Sequence, residues 1–281
     1  MKFLVIGSDG SMGTRRINCL RKLGYEWEGW DIKHGTEMPK DDYSGVFVST
    51  PPAEHEKYMC DHEHALPTFV EASVVKYKPC KTVYPSCTML FHPIVNQIKD
   101  DVRNTRPLHF IYFVGNYLKH WHPKEDYKTK YFAQKLTGGA KEIVAFENIW
   151  LNWVFGACEV INGFHGKLSQ LEMDADDYYS YTLAFQGGVK GTIVIDTLAH
   201  PTYRDFKLIY EGHSQNYDLQ LSTEGWNDVY MRETDAFVKA VQGQMRWPHS
   251  VEADLQNLNL LEWIEGYNPK STVWDDRKES A

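Results

Sequence analysis

Apolar residues in the first hundred positions form short runs that alternate with segments of helical spacing. Residues 2–6 are apolar and end at Gly7, which is typical of a buried parallel strand. Apolar side chains recur at helical spacing across Ser11–Leu23, and Gly24 then provides a common helix end. The same reasoning predicts strands at 25–30, 45–49 and 68–70 and a helix at 53–64. Strands and helices that alternate with short connections predict a doubly wound parallel sheet.

The pattern changes after about residue 105. Long aromatic or alternating runs with few helices between them predict a mixed or antiparallel sheet. The runs lie at 108–114, 179–185, 191–198 and 206–210. Helices are predicted at 143–155, 229–241 and 251–265. We therefore predict an α/β protein in which a doubly wound domain, residues 1–105, precedes an α+β domain with a large open sheet, residues 106–281.

Composition and charge exclude several classes of protein. The 281 residues are 42% hydrophobic and 24% charged, as in a globular protein with a substantial core. The net charge of −8 comes without a basic stripe, so we expect no nucleic-acid partner. No apolar run reaches the roughly 20 residues that span a bilayer. Because the first residues also lack the pattern of a signal peptide, we expect a cytoplasmic protein with no membrane partner.

The cysteines agree with that location. There are five, an odd number, and they contain no CxxC pair, which favours reduced thiols. Cys60 lies near His62 and His64, but a second ligand pair at metal spacing is missing. The sequence therefore predicts no metal site and a solvated turn at 61–64.

A glycine-rich turn joins the first predicted strand to the first predicted helix. Its sequence is Gly7-Ser8-Asp9-Gly10-Ser11-Met12-Gly13, a G-x-x-G-x-x-G pattern. Glycines at such a turn let the backbone approach a pyrophosphate, and the helix start supplies free N–H groups. This context predicts a dinucleotide-binding Rossmann domain, with a plain glycine turn as the alternative. The expected cofactor contacts are Gly7, Ser8, Gly10, Ser11, Met12 and Gly13.

An acidic residue, Asp31, ends the second predicted strand. A carboxylate at this place accepts hydrogen bonds from the ribose hydroxyls of NAD and repels the 2′-phosphate of NADP. NAD is therefore the favoured cofactor, while Arg15, Arg16 and Lys33 keep NADP as an alternative. Further cofactor contacts are expected at the carboxyl edge of the sheet, from Thr50, Pro51, His55 and Glu71.

Several further motifs, spread along nearly the whole chain, occur together in one known family. In the first domain they are Val5-Ile6-Gly7, Gly13-Thr14-Arg15-Arg16, Ser49-Thr50-Pro51-Pro52-Ala53-Glu54-His55 and Val70-Glu71. In the second they are Gly115-Asn116-Tyr117-Leu118, Trp121-His122-Pro123, Asp126-Tyr127, Thr137-Gly138-Gly139 and Trp150-Leu151-Asn152-Trp153-Val154-Phe155-Gly156. Together they resemble the Gfo/Idh/MocA oxidoreductases, and the motifs of the second domain resemble a branch linked to surface-sugar biosynthesis.

The resemblance implies a Rossmann domain followed by a domain whose open sheet covers the nicotinamide. It also implies hydride transfer between the nicotinamide and a carbinol or keto carbon of a sugar or nucleotide sugar, while a side chain moves the hydroxyl proton. The partner would then be a small-molecule substrate. The many aromatic residues after position 105 agree with a homo-oligomer formed through the second sheet.

The sequence departs from that family where the family keeps its catalytic groups. The family usually has Glu-Lys-Pro after the fourth strand, whereas this chain has Glu71-Ala72-Ser73. The positions of the family's histidine and later aspartate, on the helix after the glycine pair, hold Phe146 and Ile149. The usual assignment of proton transfer therefore does not carry over to this chain.

One of three other side chains, His122, Tyr127 or Glu147, is predicted to move the proton in place of the missing groups. Glu142 and Glu147 lie on one predicted helix and project about 140° apart, so at most one is expected to face the cleft. The apolar neighbours of Glu147 favour a raised pKa for its carboxyl group. A purely structural, hydrogen-bonding role for Glu147 is the alternative.

The loop around residues 120–127 and the segment after it are predicted to bind the substrate. A tryptophan can stack on a sugar ring, and residues four apart share one face of a helix. Ordinary loop or core packing is the alternative for each residue. The expected substrate contacts are His120, Trp121, Tyr131 and Lys135.

Two further functions stay open at this point. One is a non-catalytic NAD(P)-binding sensor on the same fold, which the missing lysine and histidine favour. The other is a reductase of a non-sugar acceptor. The polar loop at 120–127 favours an enzyme over a sensor.

Overall fold

The computed structural model describes residues 1–59, 66–121 and 126–267. Its first sheet, sheet A, consists of β1 (Lys2–Ile6), β2 (Glu26–Trp30), β3 (Gly45–Val48), β4 (Thr68–Val70) and β5 (Val83–Pro85). The helices of this part are α1 (Ser11–Leu23), α2 (His55–Met59) and α3 (Pro93–Asn104). All strands are parallel, in the order β2-β1-β3-β4-β5. The chain therefore winds outward from β1 in both directions, which confirms the predicted doubly wound sheet.

The second sheet, sheet B, is mixed. Its strands are β6 (His109–Gly115), β7 (Cys158–Gly166), β8 (Tyr178–Phe185), β9 (Lys190–Asp196), β10 (Tyr203–Tyr210) and β11 (His213–Asp218). The helices are α4 (Ala140–Phe155), α5 (Thr223–Val241) and α6 (Val251–Gly266). The strand order is β11-β10-β6-β9-β8-β7, in which only the β6–β9 pair is parallel. This arrangement confirms the predicted open mixed sheet.

One face of sheet B carries the larger core of the molecule. Along β6, Phe110, Tyr112 and Val114 are fully buried, because alternate side chains of a strand point to the same face. Helix α4 lies on this face and places the fully buried Trp150 against Tyr112, with ring centroids 5.4 Å apart. The opposite face is open, and Phe113 on it is 42% exposed.

The last two helices return to sheet A. In α5, Phe237 is fully buried and packs against Phe3, Phe47 and Phe69 of β1, β3 and β4. Helix α6 contributes apolar side chains to the core under sheet A and to the core under sheet B. Helix α6 therefore packs against both cores, and α5 covers sheet A.

Four elements have weak or missing signals in the sequence: β5, β7, β11 and α3. Strands β7 and β11 form the two edges of sheet B and carry many polar residues, so they lack a clear apolar alternation. The helix predicted at 53–64 begins as a 3₁₀ turn, continues as α2 to Met59, and then passes outside the described residues. Helix α5 begins six residues before the predicted start, because the Ser222 hydroxyl accepts the N–H of Gly225 and caps it.

Within the described ranges, no helix is both long enough and apolar enough to cross a membrane.

Candidate functional site

The glycine turn after β1 leaves the amino end of α1 open. Gly7 has a φ of 80°, a left-handed conformation that glycine adopts without strain. A Cβ at Gly13 would overlap the Gly7 carbonyl oxygen, so glycine there lets α1 begin directly beside the turn. Gly10 is the N-cap residue; within the described residues no side chain caps this end, and the first turn has no acidic residue. The helix start therefore presents free N–H groups and partial positive charge to an anion.

The other residues of the turn fix its position beside β2. Ser8 is buried, and Gly29 makes room for it, because a Cβ at Gly29 would lie 2.8 Å from the Ser8 Cβ. Ser11 is exposed and Met12 is half-buried at the start of α1. The predicted phosphate contacts therefore lie together around one helix end.

Asp31 follows the last residue of β2, next to that turn. Its Oδ1 accepts the backbone N–H of Lys33 at 3.2 Å, which orients the carboxylate at the strand end. The side chain of Asp31 is half-buried and has no ion-pair partner within the described part of the chain. Its position and free acceptor capacity suit the hydroxyls of a ribose.

The loop after β3 holds buried polar atoms that lack protein partners. His55 Nε2 donates to the Thr50 carbonyl oxygen at 2.9 Å, so Nδ1 is the unprotonated nitrogen of a neutral ring. Burial lowers the pKa of His55 and favours this neutral form. The Nδ1 atom of His55 and the Oγ1 atom of Thr50 are buried without a hydrogen-bond partner among the described residues, while Pro51 is exposed. His55 therefore holds this loop in place, and two buried polar atoms without partners lie at the carboxyl edge of sheet A.

A buried charge cluster, which we call the Arg16 cluster, connects α1, the end of β4 and α5. It consists of Arg16, Glu71 and Glu233. Arg16 is fully buried and donates to both carboxylate oxygens of Glu71, at 2.7 and 2.8 Å, and to Glu233 at 2.8 Å. Glu233 also accepts the hydroxyls of Ser86 and Thr88. Both oxygens of the Glu71 carboxylate therefore bind Arg16. Glu71, which is predicted from the sequence as a cofactor contact, fixes the end of β4 through this ion pair.

These observations fit a bound dinucleotide. The open end of α1 suits its pyrophosphate, and Asp31 at the neighbouring strand end suits its ribose. The unpartnered atoms of Thr50 and His55 lie along the sheet edge at which such a ligand binds in this topology.

A tyrosine and a glutamate meet at the start of α4. Tyr131 begins a 3₁₀ turn, Tyr131–Ala133, and its hydroxyl donates to Glu142 Oε1 at 3.3 Å. Glu142 lies in the first turn of α4, and its other oxygen, Oε2, is buried without a partner in the described structure. Burial raises the pKa of Glu142 to about 7, against the opposing effect of the Tyr131 hydrogen bond. Burial and then the Glu142 carboxylate raise the pKa of Tyr131 above its ordinary range.

The structure places Glu147 elsewhere, inside the core of the second domain. It is fully buried and accepts the Tyr112 hydroxyl at 2.7 Å, the Trp150 indole N–H at 2.7 Å and the Arg204 guanidinium at 2.9 Å. These donors come from β6, α4 and β10 and use both carboxylate oxygens. The contacts correspond to the structural alternative for Glu147, and Glu142 is the acid of this helix that has a free oxygen.

The remaining loop residues have mixed environments. The Tyr127 hydroxyl accepts the backbone N–H of Glu172 at 3.1 Å. Trp121 is half-buried and packs on Phe132, with ring centroids 5.9 Å apart. The contacts of Tyr127 and Trp121 therefore stabilise the loop after β6. The predicted proton-transfer residue His122 lies outside the described residues.

The other two predicted substrate contacts lie on the surface. His120 is exposed, and its Nδ1 lies 3.2 Å from Nδ1 of His200. Lys135 is exposed and is not on a helical face with Tyr131, because the 3₁₀ turn ends at Ala133. No group of three or more side chains of the kinds that bind metals comes together within residues 1–59, 66–121 and 126–267.

Sequence reasoning weighs Glu142 but does not select it, and it misses the Arg16 cluster. The signal for Glu142 is its place in the first turn after the glycine pair. Its partner Tyr131 is 11 residues away in the chain and belongs to a separate 3₁₀ turn, so the contact does not follow from the periodicity of α4. Arg16 and Glu233 are 217 residues apart and give no local signal.

Comparison with known proteins shows the fold. No protein-family model matches the sequence, and no curated protein matches it. A myo-inositol dehydrogenase from Corynebacterium glutamicum is similar with a TM-score of 0.74 at 13% identity, over 95% of this chain and 96% of that one. GenD2 from gentamicin A biosynthesis, in complex with NAD, has a TM-score of 0.74 at 14% identity, over 95% and 93%. The WlbA dehydrogenase from Bordetella pertussis, in complex with NADH and UDP-GlcNAcA, has a TM-score of 0.70 at 12% identity, over 95% and 94%. The chain shares their fold, as the family resemblance implies.

Proposed function

We propose that this protein is an NAD(P)-dependent oxidoreductase that transfers hydride between the nicotinamide and a carbinol or keto carbon of a sugar or nucleotide sugar. The observation that carries the proposal is the uncapped amino end of α1 beside Asp31. This combination supplies a phosphate site and a ribose acceptor at the carboxyl edge of one parallel sheet. The solved structures with NAD or NADH have the same fold, which supports the assignment of the cofactor.

The substrate class is inferred from the second domain and from the structural neighbours. Tyr117, Trp121 and Tyr127, in the segment that follows β6, each pack against one buried apolar cluster, and they are partly exposed. Aromatic surfaces with nearby hydrogen-bonding groups suit the faces and hydroxyls of a sugar. Neighbours of the same fold include an inositol dehydrogenase and a dehydrogenase with bound UDP-GlcNAcA.

We infer that the open face of sheet B pairs with a second copy of the chain. Phe113, Ile161 and Phe164 of β6 and β7 are 42%, 40% and 50% exposed. Large exposed apolar side chains on a sheet are unusual in a monomer and favour a homo-oligomeric interface. Size-exclusion chromatography with light scattering should give at least a dimer, and Phe164→Asp should shift it toward the monomer. A monomeric wild-type protein at micromolar concentration would contradict this assembly.

A direct assay tests the proposed reaction. The protein is mixed with NAD⁺ and a panel that contains myo-inositol, UDP-GlcNAcA and related sugars, and NADH absorbance is followed. We expect turnover of at least one sugar. Saturable NAD binding without turnover across the panel would instead favour the sensor, whose case rests on Ala72 and Phe146 at the places of the family's lysine and histidine.

Replacement of Asp31 tests the choice of cofactor. We expect NAD to bind more tightly than NADP, and Asp31→Ala to reduce this preference by about ten- to a hundredfold, the value of one charge-assisted hydrogen bond. Titration calorimetry with both cofactors measures the change. Asp42→Ala, which removes an exposed acid after the same strand, should leave the preference unaltered. Tighter binding of NADP by the wild-type protein would overturn the assignment of Asp31.

A further inference from the structure

We propose that Asp9 and His34 form a pair that determines the affinity for the dinucleotide, in which His34 offsets the negative charge that Asp9 places beside the pyrophosphate. This role rests on the cofactor site of the proposed function and does not depend on the identity of the substrate. Asp9 lies in the glycine turn, directly before Gly10, the N-cap residue of α1. His34 is the last residue of the 3₁₀ turn that follows Asp31.

The carboxylate of Asp9 and the ring of His34 are in direct contact. His34 Nε2 lies 3.2 Å from the carboxylate, and the Ser8 hydroxyl donates to Asp9 Oδ1 at 3.4 Å. The side chains of Asp9 and His34 are 37% and 47% exposed, so a ligand and solvent ions reach both. The contact connects the glycine turn, which supplies the phosphate site, with the segment after β2, which supplies the ribose acceptor.

Backbone hydrogen bonds fix the place of the Asp9 charge. The N–H groups of Gly7 and Ser8 donate to the Trp30 carbonyl oxygen at 2.8 and 3.2 Å. The N–H of Gly10 donates to the Gly7 carbonyl oxygen at 3.1 Å. The turn is thus bound to the last residue of β2 and to itself. The backbone of Asp9 is therefore held beside the start of α1.

A carboxylate at this position opposes the binding of the ligand. The free N–H groups at the start of α1 attract the pyrophosphate, whereas the negative charge of Asp9 repels it. Asp31 is also an acid, but the ribose hydroxyls donate hydrogen bonds to its carboxylate. The pyrophosphate has only acceptor oxygens and offers Asp9 no such donor. Asp9 therefore lowers the affinity unless a cation compensates its charge.

His34 in its protonated form is the cation available to Asp9. At 3.2 Å from the carboxylate, it makes the pair neutral as a whole. Within the described residues neither Lys33 nor Arg15 forms an ion pair with Asp9. Arg15 instead lies over the Tyr230 ring, 4.3 Å from its centre. The charge of the turn that faces the pyrophosphate is therefore controlled by His34.

Calorimetric titration with NAD tests the pair. Asp9→Asn should bind NAD about three- to tenfold more tightly than wild type, the size of a screened interaction between charges several ångströms apart. His34→Gln should bind it more weakly by a similar factor, because Asp9 is then uncompensated. In the Asp9→Asn background, His34→Gln should have no effect. Asp42→Asn, which removes an exposed acid between β2 and β3, is the matched control and should leave Kd unaltered.

Two further readouts separate an effect of charge from a structural one. Raising the salt concentration from about 0.1 M to about 1 M shortens the screening length from about 10 Å to about 3 Å, so the gain in Asp9→Asn should shrink. His34→Arg keeps a cation beside Asp9 and should retain at least the affinity of the wild-type protein. Thermal unfolding without NAD should show that each variant is folded.

The outcomes separate this role from the proposed function. Equal affinity of Asp9→Asn and wild type, a gain that salt does not change, or an undiminished effect of His34→Gln in the Asp9→Asn background overturns the role of the pair, whatever the protein oxidises. A loss in His34→Gln that is confined to NADP would assign His34 to the 2′-phosphate and overturn it as well. The expected coupling in a protein that turns over no sugar rejects the proposed function and keeps the pair.

Discussion

Gly10→Val is expected to abolish NAD binding while the protein stays folded. The N-cap Gly10 has φ −73° and ψ 165°, an extended conformation that valine adopts readily. An added Cβ would lie 3.2 Å from the Gly7 carbonyl oxygen, a close contact that a small shift relieves. The two methyl groups of valine would then occupy the space in front of the free N–H groups of α1. The pyrophosphate would lose its approach to the backbone.

Calorimetric titration with NAD, together with thermal unfolding, measures both parts of this expectation. Gly10→Ala adds only the Cβ and should show an intermediate affinity. Wild-type affinity in Gly10→Val would mean that the glycine turn does not hold the dinucleotide. A large drop in thermal stability would instead mean that the turn is under more steric restraint than its backbone angles indicate.

Arg16→Leu is expected to lower the free energy of unfolding by about 3–5 kcal/mol, the usual effect of removing one partner from a buried ionic group. The loss arises because Glu71 and Glu233 would remain buried without their shared cation. Glu233 would keep its hydroxyl donors, Ser86 and Thr88, and Glu71 would keep the Ser49 hydroxyl, but neither carboxylate would have its cation. Urea unfolding measures the change, and Arg21→Leu, an exposed arginine of the same helix, should stay within about 0.5 kcal/mol of wild type.

The Arg16→Leu deficit should also depend on pH. Two unpaired buried carboxylates have folded pKa values above those of the unfolded chain, so the folded variant binds protons more tightly than the unfolded one. The deficit is therefore largest above the raised folded values and shrinks as pH falls toward the unfolded value of about 4.3. A deficit that is constant between neutral and acid pH would show that lost packing, and not uncompensated charge, is its cause.

The sequence predicts four of the five strands of the parallel sheet, because each of these four leaves a local signal, whereas β5 does not. Strands β1 and β3 are apolar runs, and the helix between β1 and β2 has both its spacing and its terminal glycine in the sequence. The edge strands β7 and β11 leave weaker signals, since solvent on one side relaxes the need for apolar residues. Helix α3 is marked only by Pro93 at its first turn and by His92, whose ring accepts the N–H of Ile94.

The site is predictable only where its geometry is local. The glycine turn and Asp31 belong to one strand–helix–strand unit, so their proximity follows from the sequence. The choice between Glu142 and Glu147 does not, because both are acids of one helix with apolar neighbours. It depends on which face of α4 meets Tyr112 and Arg204, which are 35 and 57 residues from Glu147. Such contacts form only when sheet B is assembled, so the spacing of residues along the sequence does not reveal them.

The return of α5 to sheet A has a consequence for the order in which the protein can fold during synthesis. Phe3, Phe47 and Phe69 belong to the part of the chain that leaves the ribosome first, but Phe237, which covers them, comes more than two thirds of the way along the chain. Glu233, which engages Arg16, arrives equally late. Until sheet B has been made, the nascent amino-terminal sheet therefore has one uncovered apolar face, and Arg16 has Glu71 but not Glu233 as a partner. Until Phe237 is available, that apolar face can be covered by a chaperone or by non-native contacts with other parts of the nascent chain.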